Sequence, residues 1–265
     1  MILLNPPTGW WRSPYFLIPA AIGVGTLVGV GIAHARPYSC PALSPEGGVL
    51  EGVRYLERMR GGASPDEAVP MVVVLHSLGG RPEGYAGGLG GIGRARLILP
   101  EGQYDSGSGK SWFGKGLHAV VDAGNTPGDL QIWHDAGDRL ARFIDAVRQC
   151  RPTTGDPIVT GSSQGGEASL LMATEHRGLV HGAVVVNGDM PGPLWDPRMA
   201  PTLMIHGTGD TTVPYEWAKS HAEQMIARGA PLRFETFSSP GHDVTAAESK
   251  AWIAGVRDMV AEIGG

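Results

Sequence analysis

Cysteine is scarce in this chain: 265 residues carry two, Cys40 and Cys150. At most one intrachain disulfide can form, and no cluster of histidine, cysteine or acid has the spacing of a metal site. Charge is sparse as well. Asp, Glu, Lys and Arg make up 18% of the chain against 42% hydrophobic residues, a balance that argues against disorder. No basic excess is present; the formal net charge is −5, which gives no support for nucleic-acid binding. What the chain has in quantity is glycine and proline, 41 and 21 residues, as expected of a fold built with many tight turns.

One stretch has no charge at all, from Phe16 to Ala33. Arg12 precedes it, and Ala33-His34-Ala35 ends it with small residues at the spacing a signal peptidase reads. The run is also just long enough to span a bilayer. Two outcomes stay open: cleavage after Ala35, or retention of a membrane anchor through residues 16–33. Pro37-Tyr38-Ser39 makes no lipobox for Cys40. Residues 1–35 are thus read as signal peptide or N-terminal anchor, and 36–265 as one domain large enough to bury a full core. In either case that domain is expected outside the cytoplasmic membrane, periplasmic, secreted or anchored. There Cys40 and Cys150 can pair or remain two thiols.

The body alternates strands with helices. Gly52 to Arg58 alternates in polarity and reads as an early antiparallel strand. Met71-Val72-Val73-Val74-Leu75 and Arg96-Leu97-Ile98-Leu99-Pro100 are continuous apolar runs, expected of strands buried on both faces of a parallel sheet. Glu101 to Thr126 reads as a long, turn-rich loop. Leu130 to Cys150 is an amphipathic helix with Trp133, Ala136, Leu140, Phe143, Ile144 and Val147 on one face and Asp129 as its expected cap. Further strands follow at 157–160, 181–187, 201–206 and 232–237, and helices at 164–176, 214–228 and 245–263. This order argues for a mostly parallel central sheet with helices on both faces.

Gly161-Ser162-Ser163-Gln164-Gly165 stands between one such strand and the next helix. Strand, sharp turn and helix are the context in which Gly-x-Ser-x-Gly exposes a nucleophilic serine, here Ser163. A serine hydroxyl needs a base within hydrogen-bond reach, and the base needs a group that fixes its tautomer. Asp210 and His242 each follow the end of a predicted strand, the place where active groups of such sheets lie. The chain order Ser163, Asp210, His242 assigns nucleophile, orienting acid and base. Asp243, Asp189 and Asp196 are rival acids; His76 and His206 end strands and read as structural. Two textual matches are set aside. Gly88-x-Gly90-x-x-Gly93 precedes a strand instead of following one. Gly107-Ser108-Gly109-Lys110-Ser111 has Tyr104 where a phosphate loop needs its first glycine.

Together, His76-Ser77-Leu78-Gly79-Gly80, Ser111-Trp112-Phe113, the Ser163 elbow, His206-Gly207-Thr208-Gly209-Asp210 through Val213-Pro214, and Gly241-His242 resemble the α/β-hydrolase superfamily. The closer likeness is to small carboxylesterases, acyl-thioesterases and phospholipases, and to secreted polyester depolymerase-like esterases. The resemblance runs from about residue 70 to the end and leaves the leader outside. It implies the α/β-hydrolase fold and ester hydrolysis without metal or organic cofactor, on a small-molecule or lipid ester. It implies an oxyanion hole from the backbone N–H groups of Gln164 and Leu78, with Ser77 as the alternative to Leu78, and a substrate pocket touched by Ser77 and Trp112. One departure stands in the first loop, where Ser77 occupies a position that is usually glycine. Gly102 to Thr126 and Gly188 to Met199 are candidate cover loops. Two other readings share these residues: a peptidase or amidase of the same fold, and a catalytically silent binding module.

Overall fold

The computed structural model describes residues 38–42, 44, 46–114 and 126–264. The leader, with its cleavage site and candidate anchor, lies outside the described residues, as does most of the second half of the candidate cover loop at 102–126. Among the described residues no helix is long and apolar enough to cross a membrane.

The body is built on an eight-stranded sheet. In chain order its strands are β1 (Gly48–Leu50), β2 (Val53–Arg60), β3 (Val69–Leu75), β4 (Ala95–Pro100), β7 (Thr153–Ser162), β8 (Gly182–Val186), β9 (Thr202–Gly207) and β10 (Leu232–Phe237). In space they run β1-β2-β4-β3-β7-β8-β9-β10. β2 pairs antiparallel with β1 and with β4, and every other neighbour is parallel. Helices α1 (Pro82–Tyr85), α2 (Pro127–Cys150), α3 (Gln164–Glu175), α4 (Tyr215–Ala227) and α5 (Ala246–Gly264) connect them. This is the α/β-hydrolase arrangement expected from the sequence.

β3 explains why the sheet is covered twice. All seven of its residues are buried, and alternate side chains point to opposite faces. Met71, Val73 and Leu75 pack with Phe143, Ile144 and Val147 of α2 and with Leu170 and Leu171 of α3. Val72 and Val74 pack on the other face with Val256, Met259 and Val260 of α5. Each fully buried aliphatic side chain contributes roughly 1.5–3 kcal/mol, so neither layer is dispensable.

The parallel register decides where the loops emerge. Leu75 lies opposite Gly161, Ser162 opposite Val186, Val186 opposite Ile205, and Gly207 opposite Phe237. The carboxyl ends of β3, β7, β8, β9 and β10 therefore finish in step along one rim.

Four local features differ from the sequence expectation. Thr126, not Asp129, caps α2. Its Oγ1 accepts from the Asp129 amide at 3.2 Å while Asp129 Oδ2 accepts from the Thr126 amide at 3.2 Å. Asp129 is the third residue of a capping box, reciprocal to the true cap. Part of the supposed 101–126 loop is a hairpin, β5 (Tyr104–Ser106) and β6 (Gly109–Ser111), whose three-residue strands are too short to show a period. β1 also precedes the expected first strand. Its turn uses Glu51 and Gly52, both at positive φ (50° and 73°), the geometry of a two-residue hairpin loop. Finally, Glu57 of β2 is buried between Arg96 and Arg151. Arg151 Nε donates to Glu57 Oε2 at 2.8 Å and Nη2 to the Tyr55 hydroxyl at 2.8 Å, so the buried charges are partnered.

Cys40 and Cys150 form a disulfide across 110 residues of sequence. It ties the segment ahead of β1 to the end of α2. In the chain-entropy picture, closing a loop of this size restricts the unfolded chain by about 4–5 kcal/mol. The double substitution Cys40→Ser/Cys150→Ser is expected to lower unfolding stability by ~2–5 kcal/mol, read as an earlier urea midpoint. An unchanged midpoint would mean that the bridge adds no stability.

Candidate active site

β7 ends at Ser162 and α3 starts at Gln164, leaving Ser163 alone to make the turn. It does so at φ 54°, ψ −128°, a region that side chains other than hydrogen rarely enter. The flanking glycines make the turn feasible. A Cβ on Gly161 would stand 2.5 Å from the Leu75 carbonyl oxygen, and one on Gly165 only 2.1 Å from it. The strained residue is held by its own backbone: Ser163 N–H donates to Val186 O at 2.9 Å, and Ser163 O accepts from Glu167 N–H at 2.9 Å.

From this elbow a hydrogen-bonded line runs through three distant residues. Ser163 Oγ lies 2.8 Å from His242 Nε2, and His242 Nδ1 lies 2.7 Å from Asp210 Oδ2. A carboxylate can only accept, so Nδ1 carries the proton and Nε2 is left to accept from the serine hydroxyl. His242 comes from the loop after β10, and Asp210 from the loop after β9. These two loops pack backbone to backbone: a Cβ on Gly209 would fall 2.1 Å from Ser239 O.

Asp210 is fully enclosed by donors. Oδ1 accepts from the Thr212 and Val213 amides at 2.9 and 3.1 Å. Oδ2, besides His242, faces His206 Nε2 at 3.4 Å. Burial alone would raise its pKa, but hydrogen bonds from His206 and His242, the charge of His242 and the Val213 amide outweigh it and hold the carboxyl well below its ordinary value. It is an anion at any ordinary pH. His206 Nε2 also donates to Val213 O at 2.9 Å, so this buried imidazole braces the acid's loop.

The first loop, after β3, lies beside the elbow. Its His76 bridges two segments: Nδ1 donates to Ser77 O at 2.8 Å and Nε2 accepts from Gly102 N–H at 2.9 Å. Burial lowers its pKa, in keeping with a neutral ring used as a strut. Ser77 is not among the residues at positive φ, which is why a side chain fits where the resemblance expects glycine. That side chain is occupied, 2.7 Å from the Tyr85 hydroxyl and 3.0 Å from Ser162 Oγ. Ser77 N–H donates to Tyr85 Oη at 3.0 Å. Gly80 N–H closes a turn onto Ser77 O at 2.9 Å, and Gly79 N–H goes to Lys110 O at 2.8 Å. Of the amides from 77 to 80, only that of Leu78 has no acceptor among the described residues. Leu78 is 38% exposed.

Gln164, the residue after the elbow, is buried and ties in the hairpin. Its Nε2 donates to Ser111 Oγ at 3.0 Å, and its Oε1 accepts from Trp112 N–H at 3.0 Å. Trp112 itself is 7% exposed and belongs to the core. Its indole N–H donates to His76 O at 2.7 Å. Trp112 thus joins the first loop to the hairpin.

Two of the rival acids, Asp189 and Asp196, are engaged elsewhere. Asp189 pairs with His221 Nδ1 at 2.9 Å. Asp196 is held at a pKa of about 2 by hydrogen bonds from Arg198. Asp243 is exposed beside His242. No group of three histidines, cysteines or acids among the described residues is placed to hold a metal.

One buried residue at this rim went unread in the sequence. Asn187 follows β8 at φ 47°, and its side chain reaches the end of β9 and the loop after β10. Its signal was the pair Asn187-Gly188 directly after a continuous apolar strand, since asparagine and glycine are the residues that accept left-handed backbone.

The sequence profile of the dienelactone hydrolase family matches residues 128–260, the stretch that holds Ser163, Asp210 and His242. No curated protein sequence matches the chain. Among solved structures, the chain is similar to esterase PE8 at 20% identity, with a TM-score of 0.60 over 76% of this chain and 99% of that one. It is similar to Zea mays acyl-protein thioesterase 2 at 17% identity, with a TM-score of 0.61 over 78% and 99%. It is similar to the Bacillus cereus carboxylesterase at 15% identity, with a TM-score of 0.60 over 78% and 94%. At these identities the likeness is one of fold.

Proposed function

Because the chain belongs to the dienelactone hydrolase family, and is a carboxylic ester hydrolase of the α/β-hydrolase fold, we propose that it works through a covalent acyl-enzyme on Ser163. The observation that carries this reading is the unbroken line Ser163 Oγ, His242 Nε2, His242 Nδ1, Asp210 Oδ2, with both links under 3 Å.

In the proposed cycle, Ser163 Oγ attacks the ester carbonyl as its proton passes to His242 Nε2. The imidazolium is stabilised by Asp210, which stays ionised. The carbonyl oxygen becomes an oxyanion received by the N–H groups of Gln164 and Leu78. Gln164 opens α3, where the first amides of a helix lack intrahelical acceptors, and the Leu78 amide is the uncommitted donor of the first loop. Collapse expels the alcohol, which takes its proton from Nε2. Water then attacks the acyl carbonyl with the same base, and the acid leaves with Ser163 restored.

The proposed substrate is a small-molecule or lipid ester. We also propose that the domain works outside the cytoplasmic membrane; the leader's composition and the Cys40–Cys150 bridge both favour an oxidising compartment.

The test has two arms. A tagged phosphonate is expected to label wild-type protein at Ser163, located by peptide mapping. A panel of acyl esters of increasing chain length, thioesters and aminoacyl amides is expected to show turnover of esters well above amides. Faster amide cleavage would favour a peptidase or amidase. Folded protein that takes no phosphonate would favour a binding module.

A further inference from the structure

The structure assigns Asn187 as the residue that positions the catalytic histidine, an inference that rests on the serine-hydrolase reading above. Asn187 contacts no reacting atom. Its side chain is fully buried, and both ends of its amide leave its own strand. Oδ1 accepts from Gly207 N–H at 2.9 Å, at the last residue of β9, from which the Asp210 loop leaves. Nδ2 donates to the backbone carbonyl of His242 at 3.2 Å. Its backbone completes the brace: Asn187 N–H donates to Ile205 O at 2.9 Å, and the carbonyl just before it, Val186 O, receives Ser163 N–H at 2.9 Å. One residue and its predecessor therefore touch the backbone of the nucleophile, the root of the acid's loop and the base.

The need for such a brace follows from where His242 sits. Its loop carries no regular structure, and its ring is partly exposed. Among the described residues, the Asn187 amide is the only hydrogen-bond partner of the His242 backbone. The two links from its ring to Ser163 and Asp210 fix the imidazole only while the backbone beneath it stays put. The left-handed φ of Asn187 has an energetic cost, and asparagine bears it better than most residues. That backbone aims the amide across β9 toward the histidine loop.

Two substitutions separate positioning from shape. Asn187→Asp keeps the size and the acceptor for Gly207, and turns the donor facing His242 O into a second acceptor. Asn187→Gly adopts the same φ without strain and removes both bonds. Displacing a catalytic group by about 1 Å can cost on the order of 100-fold in rate. Both variants are therefore expected to lower kcat for an ester by roughly 10- to 100-fold, with KM within about twofold. Labelling of Ser163 by a phosphonate is expected to slow in parallel. The downfield proton of the His242–Asp210 hydrogen bond is expected to broaden in the proton NMR spectrum.

Ser163→Ala is measured alongside. If that variant hydrolyses ester like wild type, the serine mechanism fails and this inference with it. If it is inactive while folded Asn187→Asp and Asn187→Gly keep kcat within twofold of wild type, the inference alone is overturned. Failure of both Asn187 variants to fold would assign the residue to the fold alone and overturn it equally.

Discussion

Ser163→Ala is expected to reduce kcat by about 10⁴-fold or more, since losing the nucleophile of a triad costs as much as losing the whole unit. The protein should stay folded. Alanine keeps the Cβ, so the backbone at φ 54° is as strained as before, and the melting temperature is expected to stay close to that of wild type. Ser163→Gly gives a sharper result. It is equally inactive, yet glycine enters that backbone region freely, and the relief of strain is expected to raise stability by ~1 kcal/mol, the lower end of what such a conformation costs. A variant that is dead and more stable is hard to explain unless the strain serves the reaction. Calorimetry beside an ester assay reads both, and retained turnover in either variant would refute the nucleophile assignment.

Asp210→Asn is expected to be nearly as damaging, by roughly 10³- to 10⁴-fold in kcat, for a reason written in its partners. Oδ1 faces two amide donors, Thr212 and Val213, so in the variant the carbonyl oxygen must take that side. The new amide nitrogen then falls where Oδ2 stood, against His242 Nδ1 and beside His206 Nε2. His242 is forced to accept at Nδ1 and to carry its proton on Nε2, where it can no longer receive one from Ser163. The substitution also changes the acid response of the fold. Asp210 has a folded pKa below its unfolded one. Its contribution to stability is thus fully present above the ordinary carboxylate value near ~4 and is lost as pH falls through the depressed folded value. In the variant that loss is absent, so stability should fall less steeply on acidification in the range below pH ~4. An asparagine variant with wild-type kcat would remove Asp210 from the mechanism.

The elbow was legible in the sequence because the chemistry there leaves few choices. Only glycine fits at 161 and 165 against Leu75 O, and the central strands are apolar throughout because both their faces are covered. Strand ends that finish in step then make chain order a fair guide to what meets at the rim. What stayed hidden depended on partners far away in sequence. Glu57 looks like the polar face of an alternating strand, and only Arg96 and Arg151, brought in from other elements, make its burial tolerable. Nothing beside Trp112 in the sequence shows that its N–H is taken by His76 O. Ser77 looked like a misfit for lack of any sign that Tyr85 would receive its amide. Asn187 carried a turn signal, but nothing local shows that its amide reaches residues 207 and 242.

The shared polarity of β3, β7, β8, β9 and β10 also has a consequence for handling the molecule. Every group assigned a chemical task projects from one end of these strands. The connections at the other end, such as residues 176–181 between α3 and β8 and 228–231 between α4 and β10, only return the chain to its starting level. Affinity tags, fluorophores or relocated termini belong on those return paths, where added length leaves the spacing of the working rim untouched.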